Sequence, residues 1–179
     1  MNAVVNQNPE PNMAVAAQSD SRVLMALIER AATSTEFDMA KLQQLLDLRD
    51  RWEAGEARKA FVASMAAFKS EPINILKSKR VDIPGGAKFA HATLADVVDG
   101  VCASMSKYGL SHKWETIQNA QGITVTCIVT HEKGHSERTT LMAPPDDSGK
   151  KNVIQQIAAT VTYLERYTLK AICGIAEQG

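Results

Sequence analysis

The stretch that decides the fold runs from Leu110 to Met142 and reads LSHKWETIQNAQGITVTCIVTHEKGHSERTTLM. Its middle part alternates, because Ile123, Val125, Cys127 and Val129 are separated mainly by threonines. A period of two residues is typical of a strand with one buried and one more polar face. This part therefore predicts a strand over residues 123–130 that buries its apolar side.

Two further strands are predicted beside it, over residues 110–117 and 136–142. In the first of these, His112 and Trp114 fall on one face, whereas the charged Lys113 falls on the other. The connections are short, and one of them contains the turn-forming pair Lys133-Gly134. Connections of this length cannot cross over a sheet, so the three strands should form an antiparallel meander.

Helical patterns flank this meander on both sides. Thr93 and Asp96 have the spacing of a capping box that opens a helix, and Gly109 fits its carboxyl-terminal cap. A last helix is predicted from about Asn152 to Ile172, with a buried stripe formed by Ile154, Ile157, Val161 and Leu164.

The amino-terminal part divides into three kinds of segment. Residues 1–20 lack periodicity and are predicted to be a disordered arm. Residues 21–71 form a helical lead-in that ends before Pro72, and its long second helix starts at Asp38. The apolar stripe of that helix comprises Leu42, Leu45, Leu46, Trp52, Phe61, Val62, Met65 and Phe68. This face is larger than one small sheet can cover, so we expect the lead-in to serve in oligomerisation.

Residues 72–179 then form the core of the protein. Residues 78–91 are predicted to be a hairpin, or finger, around the turn Pro84-Gly85-Gly86. The predicted fold class is therefore α+β: an antiparallel β-meander packed on helices, with long N-terminal helices.

Composition narrows the class of protein. The chain has 179 residues, of which 45% are hydrophobic and 22% charged, as in ordinary globular proteins. Its three cysteines are too few and scattered for a disulfide framework, which favours a reducing compartment. No apolar run has the length of a membrane helix, and residues 1–20 do not have the pattern of a signal peptide. We therefore expect no membrane partner and a cytoplasmic protein.

The charge is neutral overall but unevenly distributed. Between Arg58 and His91 there are seven basic residues against two acidic ones. Between Lys150 and Lys170 there are four basic residues against one acidic residue. Segregated positive charge can produce a local phosphate-binding field, although such stretches can also be solvated surface.

The last helix carries the most specific pattern. Tyr163, Arg166, Tyr167 and Lys170 follow the spacing i, i+3, i+4 and i+7, so they share one face. Aromatic rings beside cations suit a single strand, because unpaired bases stack on the rings while the cations neutralise phosphates. The alternative is that both tyrosines are half-buried packing residues.

Catalytic and metal-binding patterns are weak. The chain has no phosphate-cradling glycine-rich motif and no nucleophile elbow. We therefore expect that the protein does not hydrolyse ATP and is not an enzyme. His131 and His135 flank a turn, but a third ligand with zinc spacing is lacking, and we expect them to shape the turn or contact backbone. The pair Asp146-Asp147 leaves a metal-dependent nuclease as a remote alternative.

Seven segments carry a shared pattern: Phe61 to Lys69, Phe89 to Val98, Lys107 to Leu110, Thr130 to Glu137, Gln155-Gln156, Thr162 to Leu169 and Gly174-Ile175. Together they resemble one known family, Erf (essential recombination function), the phage and prophage single-strand annealing proteins. They cover about residues 58–176, and the segment on the last helix is the most specific because several polar positions match in order.

This resemblance implies ATP-independent annealing of complementary DNA strands by rings or filaments, in phage homologous recombination. It also implies a core similar to that of the eukaryotic strand-annealing mediators and a place in the cytoplasm of a bacterial host cell. The implied partners are single-stranded DNA, its complement or the nascent duplex, further copies of the chain, a phage exonuclease and the host single-strand-binding protein. No cofactor is expected, although magnesium would modulate annealing. The main alternative is a passive single-strand binder that does not anneal.

The residues predicted to contact DNA combine the finger, the sheet and the last helix. They are Lys79, Arg80, Lys88, Lys113, Trp114, Lys150, Lys151, Asn152, Gln156, Tyr163, Arg166, Tyr167 and Lys170. The cations are expected to bind phosphates and the rings to stack on bases.

Overall fold

The computed structural model describes residues 22–23, 25–30, 32–33, 39–75, 77–82 and 88–176. The predicted arm at residues 1–20 and the turn at Pro84-Gly85-Gly86 lie outside the described residues. The helices are α1 (Met39–Ser70), α2 (Leu94–Lys107) and α3 (Val153–Cys173). The strands are β1 (Lys79–Asp82), β2 (Lys88–His91), β3 (Leu110–Asn119), β4 (Gly122–His131) and β5 (Ser136–Ala143).

The chain divides into two compact units, Met1–Glu53 and Ala54–Gly179, and the division falls within α1. In the first unit, the predicted apolar side chains of α1 are half-buried, namely Leu42, Leu45, Leu46 and Trp52. In the second, Ala57, Phe61, Met65 and Phe68 are buried and recur at helical spacing. Val62, which we assigned to the same stripe, is 54% exposed, so that assignment is wrong. It points away from the core because it directly follows the inward-facing Phe61.

The three-stranded sheet has the order β3-β4-β5, and every pairing is antiparallel, as the sequence predicts. The central strand β4 buries Ile123, Val125, Cys127 and Val129 completely on one face. Helix α3 packs on this inner face against β4 and β5, and α2 packs against α3 and β3. The predicted fold class, an α+β protein with a meander packed on helices, is confirmed.

The core of the second unit lies between the inner face of the sheet and the helices. Its larger cluster joins Phe61 and Phe68 of α1 to Val97 and Val101 of α2, and it also includes Leu169 of α3. A smaller cluster formed by Ile123, Val125 and Leu164 continues it along α3. The termini of both helices match the sequence signals, because Thr93 and Asn152 each form a capping box.

The buried side of α3 differs from the predicted stripe. Ile154 is 78% exposed, and that assignment is wrong. Leu164 is buried as predicted, and Ile157 and Val161 are partly buried beside it. Thr160 and Thr168 are buried as well, which the apolar pattern did not indicate. The two threonines can be buried because each hydroxyl has a hydrogen-bond partner: Thr160 contacts Pro144, and Thr168 donates to the Leu164 carbonyl.

The small hairpin is a separate two-stranded sheet. Strands β1 and β2 pair antiparallel, with Lys79 opposite His91 at the base and Asp82 opposite Lys88 towards the turn. Ala92 follows directly and is fully buried, so the base of the hairpin is fixed to the core. The predicted finger is therefore confirmed as a hairpin in its two strands.

Candidate nucleic-acid interface

One face of α3 carries a stack of aromatic and cationic side chains. The rings of Tyr163 and Tyr167 lie 4.3 Å apart between centroids and are tilted by 31°. The Arg166 guanidinium carbon lies 5.4 Å from the Tyr163 centroid and 5.2 Å from the Tyr167 centroid. Lys170 Nζ lies 4.1 Å from the Tyr167 centroid. These distances are typical of cation–π contacts, so the four side chains support one another.

The outermost member of this stack is Tyr163, which is 53% exposed. A hydrogen bond with the Tyr167 hydroxyl raises the pKa of Tyr163. Its phenol therefore stays neutral over the physiological range, and its ring remains an uncharged surface on which a base can stack.

Arg166 connects this face to the hairpin. Its Nη1 donates a 2.6 Å hydrogen bond to the carbonyl oxygen of Ala92, the residue that follows β2. Its Nε is buried and has no hydrogen-bond partner among the described residues. Arg166 is thus held in place by the core, and it brings the base of the finger next to Tyr163 and Tyr167.

The finger supplies further positive charge at this junction. Lys79 and Arg80 are exposed on β1, and Lys79 pairs with His91 at the end of the finger nearest Ala92. Lys88 begins β2 at the other end. We give the name finger–helix surface to the exposed Lys79, Arg80 and Tyr163 together with the half-buried Arg166, Tyr167 and Lys170.

The residues at the start of α3 mainly organise that helix end. The Asn152 side chain accepts a 2.9 Å hydrogen bond from the Gln155 backbone, and Gln156 Nε2 donates to the Lys151 carbonyl at 3.2 Å. Lys151 forms an ion pair with Asp146 and contacts the Ser148 hydroxyl. Lys150 is exposed. From the helical rise, Asn152 and Lys170 lie about 27 Å apart along α3.

The two predicted sheet residues lie apart from the finger–helix surface. Trp114 is half-buried between the sheet and α3, where its Nε1 donates to Thr168 Oγ1 at 3.2 Å. Its ring also meets His112 edge to face, with centroids 4.6 Å apart. Lys113 lies on the opposite, outer face of β3 and pairs with Glu115 at 2.7 Å. Trp114 therefore acts as a packing residue here, and its ring is not an open stacking platform.

The histidines and the acidic pair have structural roles. His131 Nδ1 accepts a hydrogen bond from the Lys133 backbone, and the His135 ring packs edge to face on Phe61. The Asp146 carboxylate accepts hydrogen bonds from Lys151 and, with a smaller effect, from Ser148. These bonds lower the pKa of Asp146 to about 2. Within the described ranges, no group of three or more His, Cys, Asp and Glu side chains is arranged to hold a metal ion.

Sequence reasoning missed two anchoring groups. One is the Ala92 carbonyl, which has no side-chain signal because any residue offers the same acceptor. The other is Glu71, which accepts hydrogen bonds from the Ser104 hydroxyl at 2.6 Å and the Tyr108 hydroxyl at 2.8 Å. These contacts join the end of α1 to α2 across more than thirty residues, so local periodicity cannot reveal them.

Comparison with known proteins gives one match. A family model described as the ERF superfamily matches residues 61–178. This range contains the finger, the sheet and α3. No curated protein and no solved structure matches the chain. In the part of the chain that the structure describes, none of the helices is long and apolar enough to cross a membrane.

Proposed function

Because the chain belongs to the ERF superfamily, which supports a general role in phage recombination and single-strand annealing, we propose that it binds single-stranded DNA at the finger–helix surface and anneals complementary strands without ATP. In this proposal the protein makes and breaks no covalent bond. It acts as a ring or filament of identical copies during homologous recombination.

The observation that carries this proposal is the hydrogen bond from Arg166 to the Ala92 carbonyl. This bond ties the residue that follows β2 to the helix that carries the exposed ring of Tyr163, and it supports a shared surface with the exposed cations of the finger. A single strand requires this combination, since the cations release counterions from the phosphates and the ring accepts an unpaired base.

The same arrangement favours annealing over simple storage of a strand. Binding through phosphates and ring faces does not consume the hydrogen-bonding edges of the bases, so a complementary strand can still pair. Once the bases are paired and stacked within a duplex, they can no longer stack on Tyr163. The protein then loses part of its contact energy and releases the product.

Within the finger–helix surface we assign two roles. Lys79, Arg80 and Lys170 bind phosphates, while Tyr163 stacks on a base. Arg166 holds the surface together, because its guanidinium is already bound to Ala92 and lies beside both tyrosine rings. Lys88, Lys150, Lys151, Asn152 and Gln156 would extend the track at its two ends.

The experiment is a strand-annealing assay with two complementary labelled oligonucleotides and no nucleotide added, run with and without magnesium. The proposal predicts faster pairing than in protein-free controls, with magnesium changing the rate only. A passive single-strand binder would bind one oligonucleotide yet slow the pairing. A nuclease would shorten the labelled strand when magnesium is present, and that result would contradict the proposal.

The remaining partners follow from the family alone. We propose that a phage exonuclease supplies the single strands and that the host single-strand-binding protein competes for them in the bacterial cytoplasm. Addition of a bacterial single-strand-binding protein to the annealing assay tests this directly. The chain should accelerate pairing of coated strands if it can displace or bypass the coat.

A further inference from the structure

Both outer strands of the three-stranded sheet have open edges. Strand β3 has ten residues and β5 has eight, and within the described part of the chain each pairs with β4 alone. Among the described residues, no backbone hydrogen bond joins β3 or β5 to another element. Both registers run without a bulge, and neither strand contains proline. Bulges and prolines are two of the features by which proteins blunt an edge, and both strands lack them. Each strand carries charged side chains, but its backbone remains able to pair along its whole length.

The direction of these edges fits repeated addition of the same chain. Strands β3 and β5 both run antiparallel to β4, so they run parallel to each other. A second copy shifted along the sheet therefore presents its β3 to β5 of the first copy in parallel orientation. The two edges differ, so such contacts are head-to-tail and continue to a third copy.

The side chains on the outer face are complementary in one register. Exposed Arg138 on β5 and exposed Glu115 on β3 have opposite charges, and Glu115 also pairs with Lys113 on its own strand. If these two residues face each other across a parallel pair, Thr140 comes opposite Ile117 of the second copy. Met142 then lies diagonal to that isoleucine, within reach of a long side chain. Met142 is 57% exposed and Ile117 is 63% exposed in the single chain, so this register covers two apolar side chains.

We propose that copies of this chain join by parallel pairing of β5 with β3 of the next copy, with Arg138 opposite Glu115. This assembly mode deepens the oligomer of the proposed function and rests on it. It extends one sheet continuously through the assembly and leaves α3, which packs on the inner face, in the same position in every copy. The finger–helix surfaces of successive copies would then follow one another along the sheet.

Charge reversal at the two positions tests the proposal. The variants R138E and E115R each place like charges at the contact, so each alone should fall towards the 19.4 kDa mass of a single chain in light scattering. An equimolar mixture should regain the wild-type mass, because each variant then offers its changed edge to the other. The control is K133E, on the exposed turn between β4 and β5.

Retention of the wild-type mass by either single variant would overturn the proposal, as would a mixture that stays dissociated. Retained mass would place the contact elsewhere, for example on the exposed apolar side chains of α1. A wild-type chain that stays monomeric at tens of micromolar, with and without a long oligonucleotide, would also overturn it.

A cysteine pair checks the register itself. In a C102S background, a chain with both I117C and T140C should give a ladder of covalent oligomers on oxidation. A chain that carries T140C without I117C should give no covalent oligomers. A covalent dimer of that chain would indicate symmetric β5–β5 pairing and overturn the proposal.

Binding of a short oligonucleotide separates this inference from the proposed function. If R138E dissociates but still binds the oligonucleotide, both the edge pairing and the proposed function stand. Assembled wild-type protein that binds no single strand would refute the proposed function while the edge pairing stands.

Discussion

The indole nitrogen of Trp114 on β3 donates a 3.2 Å hydrogen bond to the hydroxyl of Thr168 on α3. Thr168 has no exposed surface, and the same hydroxyl donates at 2.8 Å to the Leu164 carbonyl. This contact fixes α3 on the inner face of the sheet. It therefore also determines where the opposite, aromatic face of α3 is presented.

We predict that Thr168→Val lowers the free energy of unfolding by about 1 kcal/mol, because it removes the hydrogen-bond partner of the half-buried Trp114 N–H. Urea unfolding followed by tryptophan fluorescence and by circular dichroism measures this. The control is the same substitution in a Trp114→Phe background, where no N–H is left unpaired and the loss should be smaller. Equal losses of free energy in the two backgrounds would show that Trp114 and Thr168 are not energetically coupled.

Arg166 gives a second prediction, on stability as well as on binding. Arg166→Ala removes the hydrogen bond to Ala92 and the two ring contacts, so we expect a loss of about 2 kcal/mol in the free energy of unfolding. Arg166→Lys keeps the positive charge but cannot reproduce the planar contacts, so its stability should also fall. Thermal unfolding of both variants tests this. Full stability of Arg166→Ala would mean that the residue is free to bind phosphate instead.

The sequence predicted the sheet, the order of the elements and the capping box at Thr93, because these depend on local periodicity and on side chains three residues apart. It also placed Tyr163, Arg166, Tyr167 and Lys170 on one face. It could not predict that Arg166 reaches Ala92, since that contact spans 74 positions and its acceptor is a backbone carbonyl.

The errors have a similar cause. Ile154 was assigned to the core because isoleucine at helical spacing usually faces inward, yet the first turn of α3 leaves it 78% exposed. Thr160 and Thr168 are buried on the same side as Leu164 of the predicted stripe, and hydroxyls that hydrogen-bond within the fold give no hydrophobic signal. The buried side of α3 therefore includes polar positions that the apolar pattern does not indicate.

Asp146 gives a prediction on pH dependence. Its contact with Lys151 lowers its pKa from 3.8 to about 2, so the folded state releases the proton more readily than the unfolded chain does. The stabilisation is therefore complete above about pH 4 and is lost as the pH falls towards 2. Asp146→Asn should remove this step from the stability curve, measured by thermal unfolding between pH 2 and pH 5.

The matched control is Asp147→Asn at the next position, since Lys151 forms its ion pair with Asp146. Asp147→Asn should keep the acid-dependent step. If the two variants give the same curve, the contact between Asp146 and Lys151 does not persist in solution.

Tyr163 gives a prediction on affinity. Tyr163→Ala should weaken binding of a short thymidine oligonucleotide by about 1 to 3 kcal/mol, because it removes the exposed stacking surface. Tyr163→Phe keeps the ring and should bind almost as well as the wild type. Fluorescence anisotropy at fixed salt measures both. A large loss in the phenylalanine variant would point to the hydroxyl, and thus to a polar contact in place of stacking.

The last prediction distinguishes two candidate DNA-binding surfaces, the finger–helix surface and the outer face of the three-stranded sheet. Lys79 on the finger and Lys170 on α3 belong to the finger–helix surface, whereas Lys113 projects from the outer face of β3 and pairs with Glu115. For single-stranded DNA, the logarithm of the binding constant falls with the logarithm of salt concentration by about 0.7 for each phosphate contact. Lys79→Ala and Lys170→Ala should each reduce that slope by about this amount, and Lys113→Ala should leave the slope as it is. Lys79→Ala should leave stability unchanged, whereas Lys170→Ala also removes the cation–π contact with Tyr167. A slope that falls only in Lys113→Ala would move the DNA to the outer face of the sheet, where it would compete with the pairing of β3 and β5.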